Sequence, residues 1–515
     1  MEWHPAEQEK LGRGGVKGLK GEHIVTALVV PIARPDRFYI GGQWVAPSSE
    51  SVIDVIDSHT EESCFRVAEA QAPDIDRAVS AARHAFDEGP WPRLSHAGRA
   101  GFVSAIAAGL RERAEDIGQI FPRGVGVVYQ HAVPFVRWAA ATFDHYAGMA
   151  NDFPFEERAT PDEGEFGLLV REPVGVVGAI IAWNGPAGLI ANKVAPALLA
   201  GCTVVLKSSP EAPGEGLIVA EIAEKIGLPP GVLNVVTADR EVSELLVTDP
   251  RVDKITFTGS TAAGRRIASL CGERIARCTL ELGGKSAAVI LDDADVATSA
   301  ATLAGAELLL CGQACSSLTR IVVTRSRYDE MVEALAGEFS EVVVGDPYDA
   351  ASQLGPLASE RQRNRVQGYI AKGVSQGAKL AAGGGRPKHL EKGWYVEPTV
   401  FAEVDNSYTI AQEEIFGPVL SVIPAVDEAD AIRIANDTIY GLNASVFTED
   451  VDRALQVAGQ LRSGTVGHNA FRTDLRMAFG GYKQSGIGRE GGKEGLRDFL
   501  EVKAVILNDT PTEYR

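Results

Sequence analysis

The sequence predicts an α/β fold built on parallel sheets, and two stretches of the chain carry that prediction. From Pro173 to Phe257, helical stretches alternate with short apolar runs, namely GVVGAII, CTVVLK, LNVVT and KITFTG. From Ser286 onward the same texture returns in AAVIL, RIVVT, PVLSVIPA and GTVGHN. Apolar runs without polar alternation are typical of strands buried on both faces, as in a parallel sheet wrapped by helices.

The first part of the chain has a different pattern. Residues 1–35 lack clear periodicity and form a predicted N-terminal extension. The segment FYIGGQWVAPSSESVIDVID, from Phe38, predicts short strands that turn at Gly41-Gly42. Apolar spacing then predicts three helices, over about 75–86, 95–120 and 134–149.

Composition narrows the classes of partner. The chain has 515 residues, with 50 Lys plus Arg and 69 Asp plus Glu, which gives a formal charge of −19. Such an acidic protein repels phosphate backbones and anionic lipid, so nucleic acid and a membrane surface are not expected as partners. No run approaches the ~18–20 apolar residues of a membrane span. The apolar stretch His23–Ala33 faintly resembles an export signal, but a flexible arm or a start codon placed too early explains it more simply.

Cysteine usage indicates a reducing compartment. Six cysteines in 515 residues are too few for a disulfide framework, and no C-x-x-C pair indicates zinc. We therefore expect a cytoplasmic protein without a metal, whose cysteines are either buried or reactive. Cys315 follows Gly312-Gln313 and has small neighbours that leave room for a ligand around the sulfur. A thiolate there would attack a carbonyl carbon, and Cys311, about one helical turn earlier, is its competitor.

Three further segments place reactive groups at predicted strand ends. In FTGSTAAGRRIA, from Phe257, glycines and a helix start could hold a phosphate, although a plain strand-to-helix turn would look the same. In VVLKSSPEAP, Lys207 stands where α/β sheets bind ligands, unless it is a solvated surface lysine. In TLELGGKSAAV, Glu281 lies in an apolar run, and burial would make it a base near neutral pH unless neighbouring amides bond it.

Eight motifs run along the chain in a fixed order. They are AWNGPAG at 182–188, VVLKSSPEAP at 204–213, FTGSTAAG at 257–264, LELGGK at 280–285, GQAC at 312–315, EEIFGPV at 413–419, NDTIYGLNAS at 436–445 and FGGYKQSGIGRE at 479–490. This set resembles the aldehyde dehydrogenase superfamily over about residues 36–505. Glu281 and Cys315 lie 34 residues apart, as the base and the nucleophile of that family do.

The resemblance implies NAD(P)-dependent oxidation of a small-molecule aldehyde to the carboxylic acid. Cys315 resembles the nucleophile that forms a thiohemiacetal and then a thioester. Asn184 matches the asparagine that holds the oxyanion together with the backbone N–H of Cys315. Glu281 matches the base that activates the hydrolytic water, and Lys193 matches a lysine that supports the site.

The resemblance also implies NAD as the cofactor. NADP stays open, because Pro210 stands where the family commonly has the glutamate that bonds the adenosine ribose. Lys207 resembles the lysine on that ribose, and Glu414 resembles the glutamate on the nicotinamide ribose. The implied cofactor-binding residues are Ala182, Trp183, Lys207, Ser209, Glu211, Gly259, Ser260, Gly264, Leu282, Glu414 and Phe416.

The loop 468–480 resembles the segment that lines the substrate mouth. Arg472 or Arg476 could bind a substrate carboxylate there, but a solvated arginine is the simpler interpretation. Apolar residues such as Phe471 and Trp183 favour an apolar aldehyde.

Two other functions stay open at this point. An acylating relative would pass the thioester to coenzyme A, and such relatives tend to lack the glutamate that Glu281 matches. A non-catalytic relative of the lens-crystallin kind would lose the nucleophile or its partners, whereas Cys315, Glu281 and Asn184 are all present.

The expected architecture has two Rossmann-like α/β domains and a small β-ribbon for oligomerisation. The dinucleotide-binding domain is assigned to 36–153 and 173–282, and the catalytic domain to 283–482. Residues 154–172 and 483–515 form the ribbon and the C-terminal segment. An exposed ribbon edge invites pairing with another subunit, so we expect a homodimer or a homotetramer.

Overall fold

The computed structural model describes residues 30–515. Most of the predicted extension 1–35, including the start of the apolar stretch from His23, lies outside the described residues. Within the described part, every helix is too short or too polar to span a lipid bilayer. The predicted α/β class is confirmed, because two large, mainly parallel sheets are flanked by helices.

The helices of the described residues are α1 Ala72–Asp87, α2 His96–Glu112, α3 Ala114–Val125, α4 Tyr129–Asp152, α5 Pro186–Ala200, α6 Gly214–Lys225, α7 Arg240–Thr248, α8 Thr261–Glu273, α9 Val296–Leu308, α10 Tyr328–Ser340, α11 Glu360–Gln376, α12 Thr409–Gln412, α13 Glu428–Asn436, α14 Val451–Ala458 and α15 Gly492–Arg497. The strands are β1 Phe38–Ile40, β2 Gln43–Val45, β3 Val52–Ile56, β4 Ser63–Ala68, β5 Glu156–Ala159, β6 Phe166–Pro173, β7 Val176–Ile180, β8 Thr203–Ser208, β9 Leu233–Thr237, β10 Lys254–Thr258, β11 Arg277–Glu281, β12 Ala287–Ile290, β13 Arg320–Thr324, β14 Lys379–Ala382, β15 Thr399–Ala402, β16 Val419–Ala425, β17 Asn443–Phe447, β18 Thr465–His468, β19 Gly486–Ile487 and β20 Leu500–Leu507.

The first sheet has the strand order β19-β11-β10-β7-β8-β9-β1-β2. Its central strands β11, β10, β7, β8 and β9 are parallel, and β7 to β10 are buried along their whole length. From β7 the chain builds the sheet towards β9, and from β10 it builds towards β11. The strand order therefore reverses between β7 and β10, and such a reversal opens a ligand crevice at the carboxyl ends of the strands.

The second sheet has the order β14-β15-β16-β13-β12-β17-β18, and all its pairs are parallel except β14 with β15. A smaller sheet with the order β20-β6-β5 joins the C-terminal strand to the ribbon. Strand β19 belongs to the first sheet, although it lies in the predicted C-terminal segment. The division of the chain into domains stays a prediction.

Two predicted helices have different bounds in the structure. The helix expected over 95–120 is interrupted at Arg113, whose guanidinium bonds Glu221 and the carbonyl oxygen of Pro31 and so ties the break to neighbouring segments. The helix expected from Pro134 begins earlier, at Tyr129. Proline lacks the N–H that an interior helical position uses, which made Pro134 look like a helix start.

Candidate active site

The carboxyl ends of four neighbouring strands in the first sheet carry most of the predicted site residues. Asn184 follows β7, Lys207 lies near the end of β8, Ser260 follows β10, and Glu281 is the last residue of β11. These strands are adjacent and parallel, so their ends lie along one edge of the sheet. These residues therefore lie where the reversed strand order predicts a ligand crevice.

The amino ends of three neighbouring strands in the second sheet supply the rest. The loop 282–286 leads into β12, the loop with Cys315 leads into β13, and Glu414 and Phe416 lead into β16. Strands β12, β13 and β16 are adjacent and parallel. Residues from three distant parts of the sequence are thereby brought to one edge.

The loop after Glu281 joins the two edges by close backbone contacts. An added Cβ on Gly284 would lie 2.2 Å from the carbonyl oxygen of Cys315, and one on Gly283 would lie 2.6 Å from Oε2 of Glu414. The backbone N–H of Gly284 also donates to Oε1 of Glu414 at 3.0 Å. Side chains at either glycine would push these groups apart, so the loop needs glycine for space.

Cys315 is the partly exposed thiol of its loop. Burial of the sulfur, together with the negative charges of Glu281 and Glu414, raises the pKa of Cys315 above its ordinary value. The thiol therefore needs a proton acceptor before it can act as a nucleophile. The carboxylates of Glu281 and Glu414 both act on this thiol, so Glu281 is a candidate for the proton acceptor.

Cys311, the competing thiol, has a different environment. Its side chain is 1% exposed, and its Sγ donates to the carbonyl oxygen of Gly126 at 3.3 Å. Burial raises the pKa of Cys311 to about 12. The pKa of both thiols is raised, so access decides between them: Cys311 is sealed, whereas Cys315 is partly exposed and can be reached by a substrate.

Asn184 is fixed beside the cysteine loop. Its Nδ2 donates to the carbonyl oxygen of Gln313, two residues before Cys315, at 2.9 Å. The Gln313 side chain in turn donates to the carbonyl of Val125 at 3.0 Å and accepts from the N–H of Ala358 at 2.9 Å. An amide carries two N–H donors, so Asn184 keeps one for another acceptor near Cys315.

Glu281 is buried without compensation. It is 2% exposed, and neither carboxylate oxygen has a hydrogen-bond partner within residues 30–515. Burial, assisted by the charge of Glu490, raises the pKa of Glu281 well above its ordinary value, while Lys193 and Arg489 act in the opposite direction. Such a carboxyl binds a proton more readily than an exposed one, which is what a general base requires.

Lys193 is held by a residue that the sequence analysis did not select. Its ammonium is fully buried on α5 and forms an ion pair with Oε1 of Glu490, with Thr256 Oγ1 at 3.5 Å. Glu490 is the last residue of the FGGYKQSGIGRE motif and is 3% exposed. The signal in the sequence was the position of Glu490, an acidic residue at the end of a glycine-rich motif.

The expected adenosine end of the cofactor site combines a buried lysine with a carboxylate. Lys207 is 7% exposed, and burial lowers its pKa to about 8, against the charges of Glu211 and Asp239. Glu211 is bonded by the hydroxyl of Ser209 and by Nη2 of Arg361, the latter at 2.9 Å. No ion-pair partner of Lys207 occurs within residues 30–515, so its ammonium is free to bind a ligand hydroxyl.

The expected pyrophosphate segment has the features that suit a phosphate. Ser260 caps α8 by accepting from the N–H of Ala263 at 3.3 Å. An added Cβ on Gly264 would meet the side chain of Leu282 at 2.4 Å, so the first turn of α8 lies directly against that residue. Gly259 is bonded through its N–H to the carbonyl of Glu281 at 3.0 Å, which connects this turn to the base.

The expected nicotinamide end lies between the two sheets. The rings of Trp183 and Phe416 meet edge to face at 5.4 Å, and Ala182 precedes the tryptophan. Phe416 has a φ of +64°, which is unusual for an aromatic residue and marks a constrained turn. Burial raises the pKa of Glu414 to about 7. Together these residues fit a ribose and a flat ring.

The loop 468–480 does not present a free arginine pair. The guanidinium of Arg476 bonds both carboxylate oxygens of Asp474, with one contact at 2.8 Å. Arg472 is exposed. This arrangement agrees with solvated arginines rather than with a built site for a substrate carboxylate.

Known proteins are similar to this chain in sequence and fold. The sequence pattern of the Aldehyde dehydrogenase family matches residues 44–505. Geranial dehydrogenase from Castellaniella defragrans is 44% identical over 476 residues, which cover 91% of this chain and 98% of that protein. An aldehyde dehydrogenase from Mycobacterium tuberculosis, solved in complex with NAD+, has a TM-score of 0.90 and 46% identity over 93% of this chain and 99% of that one.

A third relative was solved with both a cofactor and an aldehyde. This mutant of aldehyde dehydrogenase C from Pseudomonas syringae, in complex with NAD+ and octanal, has a TM-score of 0.89 and 40% identity. The match covers 93% of this chain and 98% of that one. With the family pattern matched almost end to end and the site assembled at one crevice, this chain belongs to the aldehyde dehydrogenase family.

Proposed function

We propose that this protein oxidises an apolar aldehyde to its carboxylic acid with NAD+, through a covalent thioester on Cys315. The observation that carries the proposal is the packing of the loop that follows Glu281 against the loop of Cys315, where Gly284 lies against the carbonyl oxygen of Cys315. Cys315 is a partly exposed thiol, and Glu281 is a buried carboxyl without a hydrogen-bond partner in the described residues, near enough to raise the thiol's pKa. A nucleophile and a base so placed suit acyl chemistry at a carbonyl carbon.

The first step is attack of Cys315 on the aldehyde carbon. The thiol loses its proton to a nearby base, for which Glu281 is placed, and the new C–S bond leaves negative charge on the former carbonyl oxygen. The free N–H of Asn184 and the backbone N–H of Cys315 would hold this oxyanion, and each such fixed donor is worth about 3–4 kcal/mol of the barrier. Re-formation of the C=O bond would expel a hydride from this carbon and leave the thioester, and NAD+, held by residues such as Lys207 and Glu414, would accept that hydride.

The second step is hydrolysis of the thioester. Glu281, having released the proton of the first step to solvent, accepts a proton from water, whose oxygen attacks the thioester carbon. The C–S bond breaks, the acid leaves, and the proton on Glu281 returns to the Cys315 sulfur. The ion pair of Lys193 with Glu490 lies near Glu281 and sets how readily it takes that proton. We assign Lys193 and Glu490 as positioning residues that act through Glu281.

The charges around Lys207 support NAD rather than NADP. Glu211 and Asp239 both act on this lysine, so the extra phosphate of NADP would be brought towards two carboxylates. Repulsion of that phosphate disfavours NADP, while a ribose hydroxyl can accept from Lys207 and donate to a carboxylate. Because Pro210 replaces the glutamate that the family commonly has there, the next residue, Glu211, would supply that carboxylate.

The residues near Asn184 support an apolar substrate. The rings of Phe135 and Trp138, both partly exposed on α4, lie 5.4 Å apart over the first turn of α5. An added Cβ on Gly185 would lie 3.1 Å from Phe135, and one on Gly188 would lie 2.8 Å from Trp138. The wall beside the oxyanion donor is therefore aromatic and without charge.

A panel of aldehydes followed by NADH absorbance tests the proposal. For straight-chain aldehydes, kcat/KM should rise about fourfold per added methylene until the aromatic wall is covered, since each buried CH₂ contributes about 0.8 kcal/mol. Aldehydes of matched length with a terminal carboxylate should be poor substrates. Higher kcat/KM for the carboxylate series, or for NADP over NAD, would reject the substrate or the cofactor assignment.

We also propose that the ribbon pairs subunits in a homodimer or homotetramer. Strand β20 is an edge of its sheet and exposes Val502 at 61% and Ile506 at 60%. An exposed apolar edge strand is a template for pairing with another chain. Light scattering of the wild type and of Val502→Lys tests this, because a monomeric wild type would reject it.

The six free thiols support a reducing compartment, the cytoplasm.

A further inference from the structure

Two cysteines outside the active site form a pair that the proposed reaction does not use. Cys271 lies near the end of α8, and Cys278 is the second residue of β11. Both pack in one apolar cluster, and the N–H of Ala276 donates to the carbonyl oxygen of Cys271 at 2.9 Å, which closes the turn that leads back from α8 to Cys278. Only a six-residue connection, 272–277, separates them in the sequence.

The two thiols differ in access. Cys271 is 1% exposed, whereas Cys278 is partly exposed. Cys278 lines a surface cavity of about 280 Å³, whose other charged lining residues are Lys254, Arg277, Arg497, Asp498 and Glu501. A small oxidant that enters this cavity reaches Cys278 and not Cys271.

The surroundings also favour the thiolate form of Cys278. The neighbouring thiol of Cys271 and the ammonium of Lys254 lower the pKa of Cys278, although burial opposes this. A partly exposed thiolate beside a second thiol is the arrangement found in oxidation-sensitive pairs.

The connection between the cysteines contains an exposed turn. Its residue Ile275 is 81% exposed and has a φ of +57°, a conformation that is strained for a β-branched side chain. The two sulfurs must approach to the ~2 Å of a disulfide. A short exposed turn can absorb that movement.

We propose that Cys271 and Cys278 are a redox-active pair that closes to a disulfide when a hydroperoxide oxidises Cys278. The Cys278 sulfur attacks the O–O bond, an S–O bond forms, and the hydroperoxide leaves as an alcohol, or as water when the oxidant is hydrogen peroxide. The Cys271 sulfur then attacks the sulfenic sulfur, the S–S bond forms and water leaves. Two electrons pass from the two sulfurs to the peroxide. The new bond ties α8 to β11, three residues before Glu281.

Peptide mapping tests the proposal directly on the full-length protein. After treatment with hydrogen peroxide, trypsin should release peptide 267–274 joined to peptide 278–285, and dithiothreitol should separate them. The Cys315→Ala substitution removes the active-site thiol from the count. This variant should lose two of its five remaining thiols on oxidation.

Single variants identify the order of events. In the Cys315→Ala background, Cys271→Ser should accumulate a sulfenic acid at Cys278 that dimedone traps, whereas Cys278→Ser should lose no thiol at the same peroxide dose. The proposal is overturned if oxidised wild-type protein contains no 271–278 cross-link, or if Cys278 pairs with another cysteine. The wild-type peptide map decides this even if a variant fails to fold.

Discussion

Gly284 lies against the carbonyl oxygen of Cys315, so closely that an added Cβ would come within 2.2 Å of that oxygen. This contact fixes the loop after the base against the loop of the nucleophile. Both loops enter neighbouring strands of the second sheet, β12 and β13. A backbone contact therefore fixes the separation between Glu281, the proposed base, and Cys315, the proposed nucleophile.

Gly284→Ala should lower kcat by about 100-fold, because a displacement of about 1 Å at a reacting group costs that much. Steady-state kinetics measure the loss, and thermal unfolding shows whether the fold survives. Gly305→Ala is the matched control, since an added Cβ there meets nothing within 4 Å. A Gly284→Ala variant with wild-type kcat would show that the contact does not position Cys315.

The pH dependence should shift in opposite directions when the two partners of the buried ion pair are changed. Glu281 acts as a base only when it is deprotonated, so activity falls as pH drops through its raised pKa. Glu490→Gln removes a negative charge, lowers that pKa and moves the acid limb of kcat to lower pH. Lys193→Met removes a positive charge and moves the limb to higher pH. Each shift should be about one pH unit or more.

Glu494→Gln serves as the control for these profiles, because Glu494 is an exposed acid on α15 whose salt bridge with Arg497 lies at the surface. Its profile should match that of the wild type. Shifts of the same sign in Glu490→Gln and Lys193→Met would contradict an electrostatic effect on Glu281.

Lys207→Met should raise KM for NAD about 10- to 100-fold and leave kcat nearly unchanged, since a hydrogen bond from a charged donor is worth about 1.5–3 kcal/mol. In the wild type, KM for NAD should also rise above pH 8, because the pKa of Lys207 is lowered to about 8 and the ammonium is lost there. Initial rates at varied NAD measure both effects. Lys225→Met, at a lysine that is 64% exposed, should change neither parameter. A fall in kcat without a change in KM would remove Lys207 from the cofactor site.

Much of the fold was predictable because local patterns determine it. Strands buried on both faces produce the uninterrupted apolar runs of β7 to β10, and the Gly41-Gly42 turn has positive φ at both residues. The break at Arg113 was not predictable, because its cause is a contact with Glu221, 108 residues away. Periodicity along one helix carries no information about such a partner.

The site divides in a similar way. Cys315 and Glu281 stand in short motifs, and their chemistry can be inferred from residue type. The pairing of Lys193 with Glu490 joins residues 297 positions apart, and only the folded chain brings them together. The choice between Cys311 and Cys315 likewise required burial, because both thiols follow the same apolar helix.

In the proposed mechanism, the aldehyde carbon becomes bonded to Cys315, and water activated by Glu281 then releases it as the acid. The most direct measurement is the mass of tryptic peptide 286–320 from Glu281→Gln after mixing with NAD+ and octanal. We expect one burst of NADH per active site and an octanoyl adduct that fragmentation locates on Cys315, with none in Glu281→Gln/Cys315→Ala. Steady turnover at the wild-type rate, or an adduct on Cys311, would contradict it.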